Sequence, residues 1–133
     1  MKIECTLAEV DNTLYDLLDR IREPIRSYEV ASTEESLGWG RSMVCERDYT
    51  IHIPELKLFF RYADEFEYNE ETQKDECIEE ILHFYKTGEN EPIGGDYSDI
   101  STLAQWYIKE NDLEINNPAE LKCIIDMPYN VEL

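Results

Sequence analysis

Leu56-Lys57-Leu58-Phe59-Phe60-Arg61-Tyr62-Ala63-Asp64-Glu65-Phe66 is the stretch on which the fold turns. Leu56, Leu58, Phe60 and Tyr62 recur at a period of two, as in a half-buried strand. Leu56, Phe59, Phe60, Ala63 and Phe66 also meet the three- and four-residue spacing of one helical face. Periodicity does not separate the two readings. Pro54 stands where the start of a helix tolerates proline, and this tilts the reading towards a helix.

Downstream, Thr72 and Asp75 have the spacing of an N-terminal cap. Ile78, Ile81, Leu82 and Tyr85 supply one apolar face, and Gly88 is placed to end the element. This predicts a helix over 72–86. After a loop containing Pro92 and Gly94-Gly95, Ser98 caps a further helix with Leu103, Ala104 and Tyr107 on its core face and Asn111 as its stop. Asn117-Pro118-Ala119-Glu120 reads as cap, first-turn proline and third-position glutamate. It predicts a last helix to about residue 125.

Upstream, Thr6 and Glu9 have capping-box spacing, and Leu7, Val10, Leu14, Leu17, Leu18 and Ile21 share a face before Pro24. Arg20, Arg22 and Arg26 gather at the end of that helix. Gly38-Trp39-Gly40 interrupts the region that follows. From Met43 to Ile53, Tyr49, Ile51 and Ile53 alternate with Thr50 and His52, as in a strand that Pro54 closes. The expected fold is therefore α+β and predominantly helical. It has four to five helices and a short strand or hairpin near residues 43–53, or one extending to 62. No repeat or linker divides it, so residues 1–133 are expected to form a single compact acidic domain.

Charge carries the functional argument. The chain has 31 Asp and Glu against 12 Lys and Arg, a net of −19. Residues 1–63 hold 12 acids and 8 bases, whereas residues 64–133 hold 19 acids and 4 bases. A small domain needs a net magnitude of only about 2–8 for solubility. The excess argues for a positively charged partner, and it repels nucleic acid and anionic membrane. Its 42% hydrophobic content argues for a folded body, because disordered acidic chains are poor in such residues.

Enzymatic and metal signatures are sparse. The two histidines, His52 and His83, lie in no nucleophile, phosphate-loop or zinc-protease motif. Glu89, Glu91 and Gly94 resemble the start of a calcium loop, but Ile93 and Ile100 occupy ligand positions. Cys5, Cys45, Cys77 and Cys123 form no Cys-x-x-Cys pair and read as reduced small hydrophobes. No catalytic residue, cofactor or metal is expected. The terminal pair 98–110 and 117–125 has helix-turn-helix spacing, but its second helix carries Glu120 and one base, Lys122. It would repel phosphate.

The acids between Asp64 and Glu80 are the densest: Asp64, Glu65, Glu67, Glu70, Glu71, Asp75, Glu76, Glu79 and Glu80, with Lys74 the single base. On a helix, Glu71, Asp75 and Glu79 would form an i,i+4 ridge extended by Glu67, with Glu76 and Glu80 beside it. Glu89, Glu91, Asp96 and Asp99 continue the expected patch, and Trp106 is its candidate aromatic anchor.

The expected function is an acidic inhibitor that imitates phosphate charge. It would block the basic site of a nuclease or other nucleic-acid-handling protein, in the manner of a phage or mobile-element anti-defence protein. The first alternative is an immunity protein or antitoxin covering a basic nuclease toxin. The second is an acidic structural or scaffold protein without inhibitory activity. The expected partner is a basic nucleic-acid-binding protein, with no direct nucleic acid or membrane contact. Monomer and homodimer both fit. The opening Met-Lys-Ile-Glu-Cys lacks a signal-type apolar run, so the expected location is cytoplasmic, the host cytoplasm if phage-encoded.

Overall fold

A computed structural model describes the backbone of residues 1–21, 27–34 and 41–130, and the side chains of 1–21 and 44–130. It overturns the helical expectation. Eight strands and two α-helices are present among the described residues: β1 (Lys2–Thr6), α1 (Val10–Asp19), β2 (Ser27–Glu34), β3 (Arg41–Arg47), β4 (Thr50–Ile53), β5 (Leu58–Asn69), β6 (Lys74–Lys86), β7 (Gly94–Asp96), α2 (Ile100–Glu110) and β8 (Lys122–Asp126). Every strand pairing is antiparallel.

The undecided stretch is a strand. Leu58 and Phe60 are buried, and they stand opposite buried Ile53 and Ile51 of β4. The expected strand at 43–53 is present as β3 and β4, with a break at Asp48 and Tyr49. Pro54 ends β4 as anticipated, but it begins one 3₁₀ turn (Pro54–Leu56) rather than a long helix. Lys57 closes that turn at φ 54° and sends the chain back as β5.

Residues 72–86 are also not helical. They form β6, which runs antiparallel to β5 from Leu58↔Lys86 to Asn69↔Lys74. Leu82 and Phe84 point to the helix-covered face with Phe60, whereas Ile81, His83 and Tyr85 point to the other. A strand can bury both of these sets, and a helix of the same sequence would crowd like charges at i,i+4. The last expected helix shrinks to a 3₁₀ turn (Pro118–Glu120) followed by β8. Leu121, Cys123, Ile125 and Met127 are all buried, a strict alternation that the proline start signal masked. The helix-turn-helix spacing therefore has no second helix.

Two helices survive. In α1, Val10, Leu14 and Leu17 are buried, while Leu18 and Ile21 pack at the margin. Thr6 and Glu9 do bond, with the Glu9 carboxylate accepting from Thr6 Oγ1 at 2.7 Å, but they form the turn between β1 and α1. In α2 the cap is Asp99 rather than Ser98, and its carboxylate accepts from the Thr102 amide at 2.8 Å. Asn111 ends the helix as expected. Pro24, Arg22, Arg26 and Gly38-Trp39-Gly40 lie outside the described residues.

Both helices pack on a sheet that runs β1-β8-β4-β5-β3-β2, with β6 and then β7 on the other edge of β5, and the core includes Leu14, Ile51, Phe60, Leu103 and Ile125. Along one edge β5 pairs first with β4 and then with β3, from Ala63 to Glu67. Its second half and β6 form a hairpin arm that β3 and β2 flank on the β5 side, and whose β6 residues 74–80 are all exposed. No described helix is long and apolar enough to cross a membrane.

Candidate functional site: an acidic hairpin arm

The arm brings carboxylates together by strand pairing. Asp64 stands opposite Glu80, Glu65 opposite Glu79, and Glu67 opposite Glu76. Like charges directly opposite on an antiparallel pair are destabilising, on a scale of roughly 0.2–1 kcal/mol per pair. A register shift beside Glu65 and Phe66 leaves Ile78 as the extra residue, 50% exposed. At the tip, Asn69 Oδ1 accepts from the Glu71 amide at 2.9 Å and the Thr72 amide at 3.4 Å. Gln73 takes the left-handed position at φ 55°.

The predicted helical ridge is thereby corrected. Residues opposite one another share a face, so Asp64, Asp75 and Glu80 lie on the helix side of the sheet. Glu65, Glu67, Glu76 and Glu79 lie on the other side. Glu70 and Glu71 sit in the turn. The single row becomes two shorter rows with a same-face step of about 6.6–6.8 Å.

Only the innermost pair of acids is visibly compensated. Arg47 donates through Nε and Nη2 to Asp64, at 3.1 and 2.8 Å, and its guanidinium also meets Glu80 and the Tyr49 hydroxyl. Burial opposes the Arg47 charge, but hydrogen bonding to Asp64, the Tyr49 hydroxyl and the charge of Glu80 together outweigh it and raise its pKa. Farther out, Glu67, Glu70, Glu71, Glu76 and Glu79 have no ion pair among the described residues. Glu76 accepts hydrogen bonds from Asn69 and Thr72 instead. Glu79, through its charge and its hydrogen bond, raises the pKa of exposed Tyr97. A shallow depression of about 460 Å³ near the tip is lined by acids, Tyr68 and Ile78.

The remaining predicted residues are dispersed. Glu89 and Glu91 follow Lys86 at the opposite end of the ladder, which at about 3.3 Å per residue is roughly 40 Å from the tip. Asp96 lies in β7 opposite Leu82 and accepts from Ser98 Oγ. Asp99 is occupied as the α2 cap. Trp106 is 49% exposed, but its ring edge rests on Phe84 at a centroid distance of 6.1 Å.

Two arrangements have no local sequence signal because they join distant strands. At the root of the arm, His83 Nδ1 meets Glu46 Oε2 at 3.2 Å, and Arg61 Nη1 lies 3.7 Å from Glu46 Oε1. Glu46 is only 5% exposed, so this cluster ties β3, β5 and β6 together where the arm leaves the core. Asp11 of α1 accepts from the amides of Ile100 and Ser101, thereby capping α2 from another element. Burial raises the Asp11 pKa, more than those two amides lower it.

Cys5 and Cys123 face each other across β1 and β8 as free thiols. Cys77, exposed on the arm, departs from the expectation of a buried hydrophobe. No group of three or more His, Cys, Asp or Glu among the described residues is placed to hold a metal ion. No protein-family model matches the chain, and no curated protein or solved structure matches it.

Proposed function

We propose that the chain is an acidic, non-catalytic inhibitor whose hairpin arm enters the positively charged nucleic-acid site of a nuclease or another nucleic-acid-handling protein. An anti-defence protein of a phage or mobile element fits this mode of action. The observation that carries the reading is the charge density of the arm. Six ladder positions, Asp64 to Asn69, span about 20 Å. With the turn they carry nine carboxylates, against Lys74 and the reach of Arg47. Duplex DNA places about twelve charges in the same length. The net −7 of the arm is thus more than half the linear charge of a duplex.

A groove built from lysine and arginine to hold phosphates meets comparable charge here, on a support that presents acids on both faces. Steered association and strong salt dependence follow. An immunity protein covering a toxic nuclease uses the same electrostatics, so the two readings differ in the target rather than in the arm. A solvated acidic face on a scaffold protein would distribute its repulsion. This chain concentrates it in opposed pairs.

Affinity capture from host lysate tests the proposal. At about 0.05 M salt the full chain should retain a basic nucleic-acid-handling protein, and at about 0.5 M it should release it. The variant carrying Glu67→Lys, Glu76→Lys and Glu79→Lys should lose that partner by at least about a hundredfold, while its core keeps the chain folded. Retention by the variant, or capture indifferent to salt, contradicts the proposal.

A further inference from the structure

We infer that the outer edge of β6, from Lys74 to Ile81, seats an extended lysine- or arginine-rich segment of the partner as an added strand. The inference rests on the binding reading above and states how the arm is engaged. The inner edge of β6 pairs with β5 along the whole hairpin. Its outer edge meets β7 only at Leu82, His83 and Phe84. After Asp96 the chain leaves the sheet through Tyr97 and enters α2. From Lys74 to Ile81, about 26 Å, no described strand pairs with that side of β6, although Tyr97 hydrogen-bonds Glu79 at its inner end.

A long open edge offers a row of backbone donors and acceptors to any strand that arrives. Folded proteins blunt such edges with charge and bulges, and both are present here, with the register shift at Ile78. The charge, however, has one sign. Asp75, Glu76, Glu79 and Glu80 lie along the edge, with Lys74 at the end of the strand beside the turn. A second copy laid antiparallel on the same edge would set acids against acids, which is unfavourable at each pair. A basic strand meets the opposite situation on both faces. Glu76 and Glu79 line one face, and Asp75 lies on the other with Glu80, which already pairs with Arg47.

Behind the first face stand Glu67 and Glu65 of β5, within diagonal reach of a long lysine or arginine side chain. Half-exposed Ile78 adds an apolar contact at the centre, and Tyr97, 65% exposed, stands beside Glu79 where the open edge begins. Strand addition supplies affinity through the main chain and leaves selectivity to the side chains. A basic extended segment satisfies both.

The test uses the full chain and two synthetic peptides of about ten residues, one alternating Arg and Val and one of the same sequence N-methylated at every residue. N-methylation preserves the charge and removes the backbone donors of both edges. Backbone amide exchange is followed by NMR. At ten times its Kd, the Arg-Val peptide should slow exchange of alternate amides within 74–81 by roughly tenfold. The N-methylated peptide should leave those amides unchanged. Glu76→Gln with Glu79→Gln should weaken the Arg-Val peptide by about tenfold.

If both peptides bind with salt dependence and neither slows exchange, charge-driven binding survives and the edge is not its seat. If neither peptide binds, both this inference and the reading beneath it fail. Slowing that appears without peptide and grows with protein concentration would make a second copy the occupant and overturn the inference.

Discussion

The sheet beneath the helices and the hairpin arm beyond them share two strands, yet they are built on opposite terms. From Leu58 to Tyr62, β5 lies over a core in which Ile51, Phe60 and Leu82 are essentially excluded from water. Each fully buried large side chain there contributes about 1.5–3 kcal/mol. From Asp64 to Asn69 the same strand faces β6 through opposed carboxylates, and each such pair costs up to about 1 kcal/mol. The base can carry the arm because one buried aromatic offsets two or three repulsive pairs. The Glu46, His83 and Arg61 cluster sits at the boundary, fixing the direction in which the arm leaves. One region is organised for folding. The other retains a cost that folding does not require.

That contrast can be broken most severely in the core. Phe60→Ala should destabilise the chain by about 3–5 kcal/mol in urea unfolding, whereas Phe66→Ala in the arm should cost about 1 kcal/mol. Similar losses at the two sites would mean that the arm is packed as firmly as the base.

Asp11→Ala should cost about 1–2 kcal/mol, because two amides at the start of α2 lose their acceptor. The Asp11 pKa is raised in the folded state, so that state takes up the proton first as pH falls towards the ordinary carboxylate value. The native form gains stability over that interval. Urea unfolding followed across that pH range should show the gain in the wild type and its absence in Asp11→Asn.

The smallest effect sharpens the comparison furthest. Glu76→Gln should stabilise the fold by about 0.2–1 kcal/mol, because it relieves the pair with Glu67. The same substitution should weaken partner binding, which an isothermal titration with the captured partner would read. A variant that gains stability and loses affinity marks Glu76 as a residue kept for binding. A loss of stability would show that the opposed acids support the strand pairing.

The fold is legible in the sequence where local signals agree with tertiary ones. α2 was legible because Leu103, Ala104 and Asn111 combine a helical face and a stop, although the reading placed the cap at Ser98, one residue before Asp99. The alternation of Tyr49, Ile51 and Ile53 likewise marked a strand. β5 and β6 were obscured because Leu56–Phe66 satisfies both periods. The turn between them also lacks the usual glycine or asparagine at its left-handed position, which Gln73 fills. Without a hairpin signal, Ile78, Ile81, Leu82 and Tyr85 read as a helical face.

Asn117-Pro118-Ala119-Glu120 had the chemistry of a helix start, but the alternating burial of Leu121, Cys123, Ile125 and Met127 prevailed after one turn. The acidic segment 64–80 was visible as composition. Its division between two faces follows from strand pairing, and so do the separation of Glu89 and Glu91 from the tip and the cluster around Glu46. No spacing within one segment encodes them.

On the proposed function, the arm and nucleic acid occupy the same site on the partner. The most direct measurement is a competition, in which a preformed complex of the chain with its captured partner is titrated with the nucleic acid that the partner binds. Mutually exclusive binding is expected, with the apparent Kd of each ligand rising in proportion to the concentration of the other. A stable ternary complex, with both affinities unchanged, would contradict it.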